Sequence, residues 1–122
     1  LSLHDALPIY LGTNDDSYCQ DDPDKQSEFA RLYTDFLKTV RSHNDKAMIF
    51  CILGLMGDRL YPMVQQAVKD YTGQTGDDRI MSVHLPEQDE SAGYVADYHP
   101  LESAHGMAAD VLTDAIRKTM GW

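Results

Sequence analysis

The chain is 122 residues long, 43% apolar, and carries a net charge of -10 from 20 acidic and 10 basic side chains. That length and apolar content suit one domain with a real core and exclude an intrinsically disordered chain. The acidic balance argues against a nucleic-acid partner, which needs a basic footprint, and no run approaches the roughly 18 apolar residues of a membrane span.

The chain opens L-S-L-H-D-A-L-P-I, residues 1–9, a stretch with no evident structural job. It back-translates in one frame to CTT TCC CTA CAC GAC GCT CTT CCG ATC, part of a common short-read sequencing adapter. Residues 1–9 are therefore expected to be a translated artefact, outside fold reasoning, although their apolar end can still complete a strand. Ile9 to Gly12 then reads as a short buried strand running into the polar turn Thr13-Asn14-Asp15.

Residues 15–25, D-D-S-Y-C-Q-D-D-P-D-K, form an acidic loop broken by Pro23. Its carboxylates suit Ca²⁺, but the spacing is not that of an EF-hand, and acids just before a helix also complement the helix dipole. A helix follows, with Phe29, Leu32, Tyr33, Phe36, Leu37 and Val40 on one face. Lys38, Arg41 and His43 suit its C-terminal end. The run 47–55, A-M-I-F-C-I-L-G-L, fits a strand buried on both faces. Residues 60–72 give a second helix with Val64, Ala67, Val68 and Tyr71 on one side, and Pro62 in its first turn. Residues 79–85 read as a third strand, 86–98 as a polar loop, and 100–120 as a third helix. The stripe of that last helix is Met107, Ala108, Val111, Leu112, Ala115 and Ile116.

The order β-α-β-α-β-α with helical crossovers predicts an α/β fold with parallel strands and helices on both faces. Three strands are few for such a sheet, so one edge and a helix-facing apolar patch are expected to be exposed. The two cysteines, Cys19 in the polar loop and Cys51 in the apolar run, make neither a metal pattern nor a disulfide framework. His84, His99 and His105 match no zinc spacing.

In open α/β sheets, ligands bind at the carboxyl ends of the strands. The polar groups there are G-T-N-D-D after the first strand, G-L-M-G-D-R after the second, and the loop leading to A-D-Y-H-P-L-E-S-A-H-G-M-A after the third. Asn14 offers a neutral amide that can stabilise an oxyanion, or can simply close an Asx-turn. His99, before Pro100, offers an imidazole general base or is a loop residue without a role.

Taken together, Y-L-G-T-N-D-D and D-Y-H-P-L-E-S-A-H-G-M-A resemble the SGNH (GDSL-type) hydrolase superfamily, and within it most of all carbohydrate esterase family 2. The resemblance covers roughly residues 9–122. It implies that residues 10–122 are the C-terminal half of a flavodoxin-like three-layer α/β/α sandwich. It also implies a serine esterase that removes acetyl or other short acyl groups from carbohydrate esters. In that reading Asn14 is the oxyanion-hole amide, Gly12 allows close backbone approach, and His99 activates the serine. Asp15, Met56 and Tyr98 would line the substrate cleft, although Met56 equally suits core or loop packing, and Tyr94 and Tyr98, which flank the His block, either stack on a sugar ring or simply anchor the loop. Asp97 lies two residues before His99 and Ala96 three before it, so the usual D-x-x-H acid is displaced. The alternative is a Ser-His dyad whose imidazole is oriented by a carbonyl. The G-D-S-type serine block is not in this chain, so the fragment is expected to be inactive alone.

No cofactor is required by that chemistry. The expected partner is an acyl-ester or acetylated carbohydrate substrate, and the expected location of the whole protein is secreted or cell-surface. An SGNH lipase or thioesterase, or a non-catalytic α/β binding module, are the alternative readings.

Overall fold

A computed structural model of the protein describes residues 6–12, 15, 18–54, 59–85 and 102–122, and for 102–105 the backbone alone. The described elements run β1 (Ala6–Tyr10), α1 (Pro23–His43), β2 (Met48–Gly54), α2 (Tyr61–Thr75), β3 (Ile80–Leu85) and α3 (Glu102–Met120). The sheet has order β1-β2-β3 and both pairings are parallel. The expected α/β class and parallel order are therefore observed.

The side-chain period of 2 in β2 divides the core in two. Ile49, Cys51 and Leu53 face α1 and α2, joining Tyr33, Leu37, Leu60, Val64, Ala67 and Tyr71. Phe50 and Ile52 face the other way, with Val83, Leu85 and Ala108, and are covered by Val111, Leu112, Ala115 and Ile116 of α3. Helices thus lie on both faces. Because β2 is central, both its faces are dry, which is why its sequence is a continuous apolar run rather than an alternating one.

Four sequence expectations need correction. The first strand lies at Ala6–Tyr10, earlier than the expected 9–12, because in-register pairing of Leu7 with Ile49 and Ile9 with Cys51 buries an alternating apolar pair. Residues 6–9, set aside above, are thus in the edge strand. Pro8 cannot donate to a ladder, which an edge strand tolerates.

The buried face of α1 is Ala30, Tyr33, Thr34 and Leu37, while Leu32 is 53% and Phe36 42% exposed. The cause is α2. Thr34 Oγ1 donates to the Ala30 carbonyl at 2.8 Å and approaches the Ala67 carbonyl at 3.5 Å. Small residues at 30, 34 and 67 let the helices come together there, turning Leu32 and Phe36 to the opposite flank. On α3, Met107 of the expected stripe is 61% exposed.

Cys19, expected in a polar loop, is buried in the core. The chain turns back at residues 19–22, where the Asp22 amide donates to the Cys19 carbonyl at 3.0 Å. Asp22 then caps α1, accepting from the Asp24 amide at 3.0 Å, with Pro23 in the first turn. Part of the acidic run therefore serves the helix start.

Tyr33 is buried with its hydroxyl against the Cys51 thiol, a weak partner, and the hydroxyl makes no conventional hydrogen bond. Burial raises the Tyr33 pKa and pushes the Cys51 thiol up to about 11, so Cys51 is an inert core thiol rather than a nucleophile. Tyr33→Phe is expected to leave stability unchanged or raise it by about 1 kcal/mol, because it removes a buried hydroxyl that gains little. A urea titration checks this, and a loss beyond about 1 kcal/mol would show that the hydroxyl has a partner of value.

Candidate functional site

A parallel sheet gathers the carboxyl ends of its strands on one edge. Here that edge is built from Tyr10, Gly54 and Leu85. The Tyr10 hydroxyl donates to the Gly54 carbonyl, which ties the ends of β1 and β2 together. Gly54 stands beside Leu85 in register, and a Cβ built on it would lie 2.2 Å from the Leu85 carbonyl oxygen. Glycine is therefore what lets β2 and β3 close at this edge.

Gly12 has φ +123° and lies buried two residues beyond β1. A Cβ there would come within 3.2 Å of Leu53 and 3.3 Å of Phe29. The backbone at Gly12 thus lies close over the core side chains of Leu53 and Phe29. Asp15 is exposed and lines a groove of about 250 Å³ with Leu11, Tyr18 and Phe29. Lys25 Nζ sits 4.6 Å from the centre of the Tyr18 ring, and Arg59 pairs with Asp21 at 3.7 Å. The Arg59–Asp21 pair is solvent-exposed and is worth little energetically.

The other sequence candidates, Asn14, Met56, Asp97, Tyr98 and His99, lie outside the described residues, as does Tyr94. What is described is the framework on either side of them. β1 and Gly12 lead into the block that contains Asn14. α3 begins at Glu102, three residues after His99.

Sequence reasoning did not single out Tyr10 or Tyr61. Tyr10 stands just before the L-G-T-N-D block, and its position at the strand end was the available signal. Tyr61, the first residue of α2, donates to Ser82 Oγ at 3.2 Å and stacks on His84 with ring centres 4.6 Å apart. That contact gives His84 a packing role at the outer side of β3.

No family model matches the chain. It is 36% identical to the cellulase/esterase CelE of Acetivibrio thermocellus over 96% of its own length, but spans only 14% of that protein. A family two carbohydrate esterase from Clostridium thermocellum, solved with cellohexaose, superimposes with a TM-score of 0.84 at 33% identity, over 97% of this chain and 37% of its own. The acetyl xylan esterase Est2A of Butyrivibrio proteoclasticus shares the fold with a TM-score of 0.89 at 24% identity, again over 97% of this chain and 37% of that one. By sequence and by fold, the chain resembles the family 2 carbohydrate esterases over nearly its whole length while covering little more than a third of the solved esterase chains.

Proposed function

We propose that this chain is the general-base half of an SGNH-type esterase that removes acetyl groups from carbohydrates. One observation carries the reading. A parallel sheet like that of the family two esterases runs from β1 into the block holding Asn14, and α3 emerges from the block holding His99. In this reading a serine supplied from outside these 122 residues attacks the acyl carbonyl. His99 accepts the serine proton and then returns it to the leaving sugar hydroxyl. In the second half-reaction His99 deprotonates the water that releases acetate. Asn14 donates its amide to the oxyanion of both tetrahedral intermediates. Asp97 or a backbone carbonyl fixes the imidazole tautomer by accepting its other ring N–H. Asp15, Met56 and Tyr98 would contact the substrate.

Acetylated polysaccharides lie outside the cell, so the whole protein is placed at the cell surface or in the medium. Among the described residues, no helix is long and apolar enough to cross a membrane.

The test is hydrolysis of acetylated xylan and of short- and long-chain p-nitrophenyl esters, by the 122-residue chain alone and by the chain joined to the remaining part of the Clostridium thermocellum esterase domain. The chain alone is expected to be inactive. The joined enzyme is expected to prefer acetyl esters. It should lose roughly 10³-fold or more in kcat on His99→Ala and roughly 10²–10³-fold on Asn14→Ala. A preference for long acyl chains would favour the lipase reading. A joined enzyme in which His99→Ala changes nothing would sink the esterase reading and leave a binding module.

A further inference from the structure

We infer that the groove at the end of α3, walled by Trp122, is a second carbohydrate-binding site, which takes a neutral glycan chain far from the carboxyl edge of the sheet. The choice of a glycan rests on the esterase reading. The geometry of the groove does not.

The groove follows from the way α3 stops. The helix ends at Met120, and Gly121 takes φ +72°, the left-handed conformation that glycine adopts without steric cost. The Trp122 amide then donates to the Arg117 carbonyl at 3.0 Å, five residues back. This is the Schellman arrangement, which turns the chain back over the last turn of the helix. It fixes the backbone of Trp122 beside Arg117. Thr113, Ile116 and Arg117 fall at i, i+3 and i+4, on one strip of α3. With Trp122 they line a groove of about 690 Å³.

A Schellman turn asks only for an apolar contact at this position, and a leucine would meet that need. Trp122 is 37% exposed and belongs to neither core cluster, whereas Ile116 and Met120 pack on the core. Among the described residues, the Trp122 indole N–H, the Arg117 guanidinium and the Thr113 hydroxyl have no partner in the protein. These groups match a sugar, which is apolar on its ring faces and polar around its rim. The negative face of an indole attracts the weakly positive C–H groups of a pyranose. The guanidinium, the indole N–H and the hydroxyl can then bond the rim hydroxyls. The net charge of -10 works against a polyanion, so the glycan is a neutral one.

The groove is well separated from the candidate acyl-transfer site. Thr119 Oγ1 donates to Met81 Sδ at 3.3 Å, which puts the last turn of α3 by the start of β3, at the amino edge. The 19 residues of α3 span about 28 Å back to Glu102, which follows the His99 block. A polymer held at Trp122 would stay close to the carboxyl edge and raise the local concentration of ester groups there.

Trp122 is the only tryptophan of the chain, so its fluorescence reports this groove alone. The experiment titrates the 122-residue chain with xylohexaose and with cellohexaose, reading that emission and, in parallel, titration calorimetry. The expected result is a saturable change with a Kd of about 1 mM or tighter for at least one of them. By calorimetry, Trp122→Ala should weaken binding roughly tenfold or more, and Trp122→Tyr should restore most of it. Arg117→Ala, at an exposed side chain, should weaken it roughly threefold or more and keeps the test open should Trp122→Ala not fold. No saturable change, binding indifferent to these substitutions, or self-association through Trp122 seen by light scattering would each overturn the site.

In the joined enzyme, Trp122→Ala is expected to leave hydrolysis of p-nitrophenyl acetate unchanged and to slow hydrolysis of insoluble acetylated xylan roughly threefold or more. Equal loss on both substrates, or loss on neither, overturns the site. Glycan binding at Trp122 in a chain whose joined form hydrolyses nothing leaves the site standing and sinks the esterase reading. An active joined enzyme together with a silent Trp122 does the reverse.

Discussion

Gly54→Ala is expected to cost roughly 3–5 kcal/mol of stability, enough to unfold most of a marginally stable domain. Two causes add. Gly54 has φ +133°, a backbone conformation that L side chains rarely adopt. The new Cβ would also stand 2.2 Å from the Leu85 carbonyl oxygen and 2.9 Å from its carbon, and those atoms belong to the backbone of a paired strand. Neither can rotate out of the way, so β2 and β3 must part at the carboxyl edge. The Gly54 carbonyl also accepts the Tyr10 hydroxyl, so the end of β1 loses its tie at the same moment. Gly12→Ala is the informative control. Its Cβ would press on the ends of the Leu53 and Phe29 side chains at 3.2–3.3 Å, which can yield, so the expected cost is about 1–2 kcal/mol, mostly from φ +123°. Urea unfolding of both variants gives the ranking, and equal losses at the two positions would refute the backbone-clash argument.

The framework was legible where one physical demand dominates. The run 47–55 has to be dry on both faces, and its composition says so directly; β2 falls at 48–54. α2 packs one simple face inward, and its buried residues Val64, Ala67 and Tyr71 follow the helical period. α1 was misread in part because two demands compete on it. Its face must serve both the sheet and a neighbouring helix, and the signal for the second was the small residues Ala30 and Thr34, not the large apolar ones. Large apolar residues marked a stripe but not its orientation, and Leu32 and Phe36 lie on the exposed flank. Cys19 was misread because a polar neighbourhood conceals one inward-turned residue where the chain doubles back. For the candidate site, the sequence blocks and the topological rule pointed to the carboxyl edge of the sheet, where Gly12 packs over Leu53 and Phe29. The roles of Asn14 and His99 rest on chemistry and resemblance, since they lie outside the described residues.

At the opposite, amino edge of the sheet, Asp77→Ala is expected to remove roughly 2–4 kcal/mol. Arg41 and Asp77 are only 14% and 15% exposed, so their interaction is weakly screened. Asp77 Oδ2 accepts from Arg41 Nε at 2.7 Å and from the Tyr71 hydroxyl at 2.5 Å, while Oδ1 accepts from the Arg79 amide at 3.0 Å. Arg41 also donates to the carbonyls of Asn44 at 2.9 Å, Ala47 at 2.7 Å and Arg79 at 2.9 Å. One guanidinium thus links the end of α1, the turn into β2 and the start of β3, which is more than the dipole-matching role its helix-terminal position implies. Arg41→Lys should therefore be costly too, because an ammonium cannot reproduce the planar fork.

Burial alone would raise the Asp77 pKa. The hydrogen bonds from Tyr71, the Arg79 amide and Arg41, with the charge of Arg41, outweigh it and hold the carboxyl below the ordinary carboxylate range. The sign of the linkage follows. A folded-state pKa lower than the unfolded one stabilises the protein above about pH 4, and that contribution is lost as acid takes the carboxylate through its folded pKa. Tyr71 acts at the other end of the scale. Burial raises its pKa, with the neighbouring carboxylate adding to the effect, so its contribution holds below about pH 10 and fades as the pH rises further. In wild type, stability should fall on the acid side of pH 4. In Asp77→Asn that acid limb should flatten while the neutral-pH stability drops, because the amide keeps an acceptor but loses the charge facing Arg41. Urea titrations at several pH values between about 3 and 8 separate the two effects. An acid limb of unchanged steepness in Asp77→Asn would mean that other carboxylates, not this clamp, govern acid unfolding.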